Sequence, residues 1–90
     1  MASYQIECKR SAQRELRKLP RPMIEKVAVA VENLANDPRP HGARKLVNSD
    51  DTYRLRVGDY RVVYNIFEKK LIVEILRVRH RKDAYKRGEL

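Results

Sequence analysis

The feature that most limits what this chain can fold into is a change of apolar period near its middle. From residue 12 to residue 35 the apolar side chains recur every three or four positions, whereas from 53 to 66 they recur at every second position. The first spacing builds a stripe along a helix and the second builds one face of a strand. A helical half followed by a strand half is the signature of an α+β domain.

Finer punctuation divides the two halves. Tyr4, Ile6 and Cys8 alternate with polar residues, which predicts a short N-terminal strand. Ser11 is placed to cap a helix carrying Ala12, Leu16 and Leu19, and Pro20 ends it. A second helix starts near Pro22, with Met23, Val27, Val31 and Leu34 on one stripe beside Ile24, Ala28 and Ala35. The breakers from Asn36 to Gly42 make a loop. Thr52 to Val57 and Tyr60 to Phe67 form a hairpin about Gly58-Asp59. Glu68-Lys69-Lys70 turns into a last strand, Leu71 to Val78, and Leu46 and Val47 can open the sheet ahead of Thr52. Residues 1–90 thus read as one domain: an N-terminal strand, a two-helix hairpin, then a three- to four-stranded antiparallel sheet. The helices cover one face and leave a basic face open.

Charge narrows the function. Lys and Arg number 21 against 12 Asp and Glu, a formal net charge of +9, which draws polyanions, nucleic acid first. With 42% hydrophobic residues the charge rides on a packed fold and not on a basic tail. Cys8 stands alone, so neither an intramolecular disulfide nor a cysteine-based zinc site can form. No apolar run is long enough to cross a bilayer, and Met1 to Cys8 lack the pattern of a signal peptide, so the expectation is a cytoplasmic protein with no membrane role.

The open sheet face is where chemistry can sit. Alternation sends Arg54 and Arg56 away from Tyr53, Leu55 and Val57. Arg61 follows the hairpin turn closely enough to join them, and Arg77 and Arg79 share a face near the end of the last strand. Like charges gathered on a sheet repel, and a phosphate gripped by arginine forks relieves that cost. The competing reading is a solvated face whose arginines pair with scattered carboxylates. The terminal run from Arg79 to Arg87 adds His80, Arg81, Lys82, Tyr85, Lys86 and Arg87, basic residues interleaved with an aromatic, which suits RNA. His80 is either structural or a proton carrier beside the phosphate site. No metal-ligand spacing, Gly-rich phosphate loop or hydrolase triad is present in the sequence, so no cofactor is expected, and no carboxylate stands out as a base.

Tyr53-Arg54-Leu55-Arg56-Val57-Gly58-Asp59-Tyr60-Arg61-Val62-Val63-Tyr64, a Leu/Ile/Val strand and then Arg79-His80-Arg81-Lys82-Asp83-Ala84-Tyr85 resemble the RelE/ParE superfamily of toxins, and the RelE branch more than the ParE branch. The resemblance implies a metal-independent endoribonuclease that cuts mRNA in the ribosomal A site by attack of the 2′-hydroxyl, leaving a 2′,3′-cyclic phosphate. It places Arg54 and Arg56 where the family has a pair of basic residues, usually lysines. Arg61 falls at the position that stabilises the phosphorane, Arg79 at the one that assists the leaving 5′-oxygen, and Tyr85 at the one that orients substrate. Arginine keeps its proton at ordinary pH, so Arg54 and Arg56 cannot serve as the base, which leaves His80 or no dedicated base. The resemblance further implies a RelB-like antitoxin partner, through which the complex binds operator DNA, and contact with ribosomal RNA. A ParE-like gyrase poison and a non-catalytic RNA-binding module are the alternatives.

Overall fold

A computed structural model describes residues 3–82. Its elements are β1 (Gln5–Cys8), α1 (Arg10–Arg17), α2 (Arg21–Asn33), β2 (Arg44–Lys45), β3 (Thr52–Val57), β4 (Tyr60–Phe67) and β5 (Ile72–His80). The five strands form one sheet in the order β1-β5-β4-β3-β2. Strands β2 to β5 pair antiparallel in sequence order, while β1 pairs parallel with β5 at one edge of the sheet and is joined through the two helices to β2 at the other. This is the expected α+β architecture, with the sheet mixed by its N-terminal strand.

The core lies between sheet and helices. Ala12, Val27 and Leu34 from the helical half meet Leu55, Val62, Tyr64, Ile66, Val73, Ile75 and Val78 from the strands, all buried. Gly58 turns the β3–β4 hairpin with φ +59, the left-handed value that a two-residue loop opening on glycine needs. A Cβ there would stand 3.2 Å from Met23 Cε, so the turn is also where α2 closes on the sheet. At the opposite end Tyr64 is fully buried, and its hydroxyl donates to the Pro38 carbonyl at 2.7 Å, tying the breaker-rich loop over the core. Burial pushes the Tyr64 phenol up to about 12.

Three boundaries differ from the sequence expectation. Helix α1 begins at Arg10 with Lys9 as its N-cap, not Ser11, because the Lys9 N–H still bonds β5 at the Ile75 carbonyl and the chain turns directly afterwards. Gln13 Nε2 then donates to the Cys8 carbonyl at 2.9 Å. The sheet opens at Arg44–Lys45 and not at Leu46–Val47; Asn48, with φ +64, turns the chain away and Val47 is left 87% exposed. Strand β5 runs on to His80, two residues beyond the apolar run that announced it, because the Arg61↔Arg79 and Tyr60↔His80 pairs continue the ladder. No helix among the described residues is long and apolar enough to cross a membrane.

Candidate active site on the arginine face

The register of the sheet decides which cations meet. Residues directly opposite on antiparallel strands point to the same side, with Cβ atoms roughly 5 Å apart. Arg56 pairs with Arg61, and Arg61 with Arg79, so three arginines from three adjacent strands form one row on the face away from the helices. The next row runs Arg44, Arg54, Val63, Arg77 across β2 to β5. Farther along, the same face turns acidic and neutral, with Glu7 beside Glu74 and the hydrogen-bonded series Thr52, Asn65, Glu74. The open face is therefore basic at one end only.

An irregularity in β5 creates this alignment. Val63 pairs with Arg77 but Tyr64 pairs with Ile75, leaving Leu76 as an extra residue in a β-bulge. In a regular strand Val73, Ile75, Arg77 and Arg79 would share one face. The bulge shifts the phase by one, so Val73 and Ile75 enter the core while Arg77 and Arg79 join the arginines of β3 and β4.

Exposure grades the cluster. Arg61, at the middle of its row, is only 5% exposed. The Arg79 side chain is 11% exposed and that of Arg77 45%; Arg54 is half-buried and Arg56 exposed. Arg44, Arg54, Arg56 and Arg61 line one cleft of about 310 Å³ with Gly42 at its rim. Guanidinium forks converging there match a phosphate ester in both charge and geometry. Arg56 Nε also donates to the Gly58 carbonyl at 3.2 Å, which orients it from the hairpin turn.

His80 lies apart. It pairs with Tyr60, whose neighbours on β4 put it on the helix side, and the two rings meet edge to face at 5.2 Å. Its Nδ1 accepts the Lys82 N–H at 3.2 Å. Strand alternation thus separates His80 from Arg54, Arg56 and Arg61 by the thickness of the sheet. Arg81 donates its N–H to the Asp59 carbonyl, and its side chain and that of Lys82 are exposed at this end of the molecule. Tyr85, Lys86 and Arg87 lie outside the described residues. Cys8 packs against the core, and burial raises its thiol above the ordinary value, which fits packing and not nucleophilic use.

Two residues that the sequence did not single out belong to this region. Arg44 enters through its direct pairing with Arg54, a contact hidden behind the loop between them. Glu15 of α1 reaches the edge of β5, where Oε1 accepts the Val78 N–H at 2.9 Å and Oε2 accepts Arg79 Nε at 3.1 Å, 4.0 Å from Arg77 Nη1.

Known proteins share this framework. The family described as "ParE toxin of type II toxin-antitoxin system, parDE" matches residues 6–85. The toxin RelG of Mycobacterium tuberculosis is 35% identical over 85 residues, covering 93% of this chain and 98% of RelG. Among solved structures, the toxin–antitoxin complex RelBE2 of the same organism superposes with a TM-score of 0.78 at 30% identity, covering 88% of this chain and 99% of the matched one. The RelE–RelB complex of Pyrococcus horikoshii gives 0.79 at 27% identity, with 88% and 96% covered. A family match over nearly the whole length, a relative of this identity and the shared fold agree: the chain belongs to the RelE/ParE superfamily of type II toxin–antitoxin toxins.

Proposed function

We propose that the chain is a metal-independent endoribonuclease that cuts mRNA in the ribosomal A site. The observation that carries this reading is the row Arg56, Arg61, Arg79, backed by Arg54 and Arg44 around one cleft. In the reaction the ribose 2′-oxygen bonds to the adjacent phosphorus as the P–O5′ bond breaks, giving a 2′,3′-cyclic phosphate and a 5′-hydroxyl. Arg54, Arg56 and Arg61 hold the phosphate and stabilise the charge that grows on its oxygens, and Arg79 stabilises the departing 5′-oxygen. Neither an arginine nor His80, on the opposite side of the sheet from Arg54, Arg56 and Arg61, takes the proton. Water accepts it from the 2′-hydroxyl and returns one to the 5′-oxygen. Tyr85 orients the substrate, and Arg77, Arg81, Lys82, Lys86 and Arg87 contact RNA.

The partners follow from the same surface. A RelB-like antitoxin, the companion that the RelBE2 and Pyrococcus complexes contain, covers the basic end and holds the toxin inactive in the cytoplasm; operator DNA is read by the antitoxin.

One observation favours a second reading, inhibition of DNA gyrase by protein contact: the matching family description is that of ParE toxins. The two separate in parallel assays of the purified protein. Arrest of a translation extract with loss of intact reporter mRNA, and no effect on gyrase-driven supercoiling, supports the nuclease; inhibited supercoiling with intact mRNA supports the gyrase reading.

A further inference from the structure

We infer that Glu15 is a positioning residue that fixes the guanidinium of Arg79 for the cleavage step, an inference that rests on the endoribonuclease reading. Strand β1 accompanies β5 only as far as Ile75, and the Lys9 N–H to the Ile75 carbonyl is the last contact there. Among the described residues, no strand neighbours the edge of β5 beyond it. Helix α1 starts directly after β1 and brings Glu15 to that edge, where Oε1 takes the Val78 N–H at 2.9 Å. The second oxygen takes Arg79 Nε at 3.1 Å.

The two bonds act together. Anchoring Oε1 to the backbone stops the carboxylate from rotating, so Oε2 meets Arg79 from a fixed direction. Engaging Nε then sets the plane of the guanidinium, and that plane determines where its terminal nitrogens point. The exposures agree: Arg79, held through Nε, is 11% exposed, whereas Arg77, whose nearest nitrogen is 4.0 Å from the same oxygen, is 45% exposed. Arg79 is also the end member of the row through Arg61 and Arg56. A neutral acceptor would satisfy Val78 equally well. The charge on Glu15 has a use only at the arginines, where it offsets their mutual repulsion.

Glu15→Gln separates the two duties. The amide oxygen can still accept the Val78 N–H, but the amide nitrogen then faces Arg79 Nε, donor against donor. In single-turnover cleavage on programmed ribosomes, E15Q should lower the maximal rate about 10- to 100-fold, the cost of a misplaced group. The half-saturating ribosome concentration should stay within about 2-fold, because Glu15 does not touch RNA. In an Arg79→Ala background E15Q should add less than about 2-fold, since it acts through Arg79. The Arg79 Nε–H resonance should be protected from exchange in the parent protein by its bond to Glu15 and should lose that protection in E15Q. A folded E15Q with the parent rate, losses that multiply in the double variant, or an unchanged Nε–H resonance would overturn the role of Glu15 while leaving the nuclease reading intact. A parent protein that cuts no RNA would overturn the reading itself, and the role with it.

Discussion

Replacing Arg61 removes the central cation of the row, and the structure sets what this should cost. Arg61 stands directly across from both Arg56 and Arg79, so a phosphorane held by the row has Arg61 at its midpoint. One preplaced donor at a developing oxyanion contributes about 3 to 4 kcal/mol, so Arg61→Ala should slow cleavage by about 10²- to 10³-fold. The effect on folding is smaller because two terms oppose. Relieving two like-charge pairs returns about 0.2 to 1 kcal/mol each. Losing a largely buried stem costs about 0.8 kcal/mol per methylene. For the two methylenes lost, about 1.6 kcal/mol, these two terms together lie between a gain of about 0.4 and a loss of about 1.2 kcal/mol. Arg61→Met keeps the stem and removes the charge; it should hold more of the stability and be as slow as alanine. Arg61→Lys keeps the charge without the fork and should fall between. The assay is single-turnover cleavage on programmed ribosomes, with far-UV circular dichroism of each variant. A folded Arg61→Ala or Arg61→Met protein that cleaves at the parent rate would refute the argument that the row stabilises the transition state.

Other predictions concern the frame that holds this face. The Tyr64 phenol titrates near 12 in the folded protein against an ordinary value of 10, so its stabilisation is complete below pH 10 and is lost as pH rises through 12. Denaturant midpoints across that window should fall less steeply in Tyr64→Phe; an equally steep fall would show that other groups govern alkaline unfolding. Leu71 holds φ +55, where a β-branched residue is strained, so Leu71→Val should destabilise more than Leu71→Gly although valine is the closer replacement in size. The reverse order in thermal melts would contradict the backbone assignment. Leu34, fully buried where α2 ends, should cost about 2 to 5 kcal/mol as alanine, measured by urea unfolding.

Much of this arrangement was legible because it is local. Alternation from Thr52 to Phe67 about Gly58-Asp59 fixes a hairpin, and the hairpin alone puts Arg54, Arg56 and Arg61 on one face. What escaped depends on contacts distant in sequence. Alternation in Tyr4, Ile6 and Cys8 identifies a strand face but not its neighbour, so the parallel pairing with β5 was not visible. The bulge at Leu76 comes from competition between two packing demands, an apolar side for Val73 and Ile75 and a polar side for Arg77 and Arg79, and no residue there announces it. Glu15 looked like one helix carboxylate among others because its partners lie 63 and 64 residues away. His80 is different. The alternation that groups Arg77 with Arg79 already sends His80 to the other side, a signal present in the sequence and outweighed by proximity along the chain.

The central claim is cleavage of mRNA on the ribosome, and primer extension on a defined message addresses it most directly. The message is incubated with this protein, alone and in programmed ribosomes. Cuts confined to the A-site codon, present only with ribosomes and slowed about 10²- to 10³-fold in Arg61→Ala, are the predicted result. An intact message under both conditions, with the parent protein folded and in excess, would contradict it.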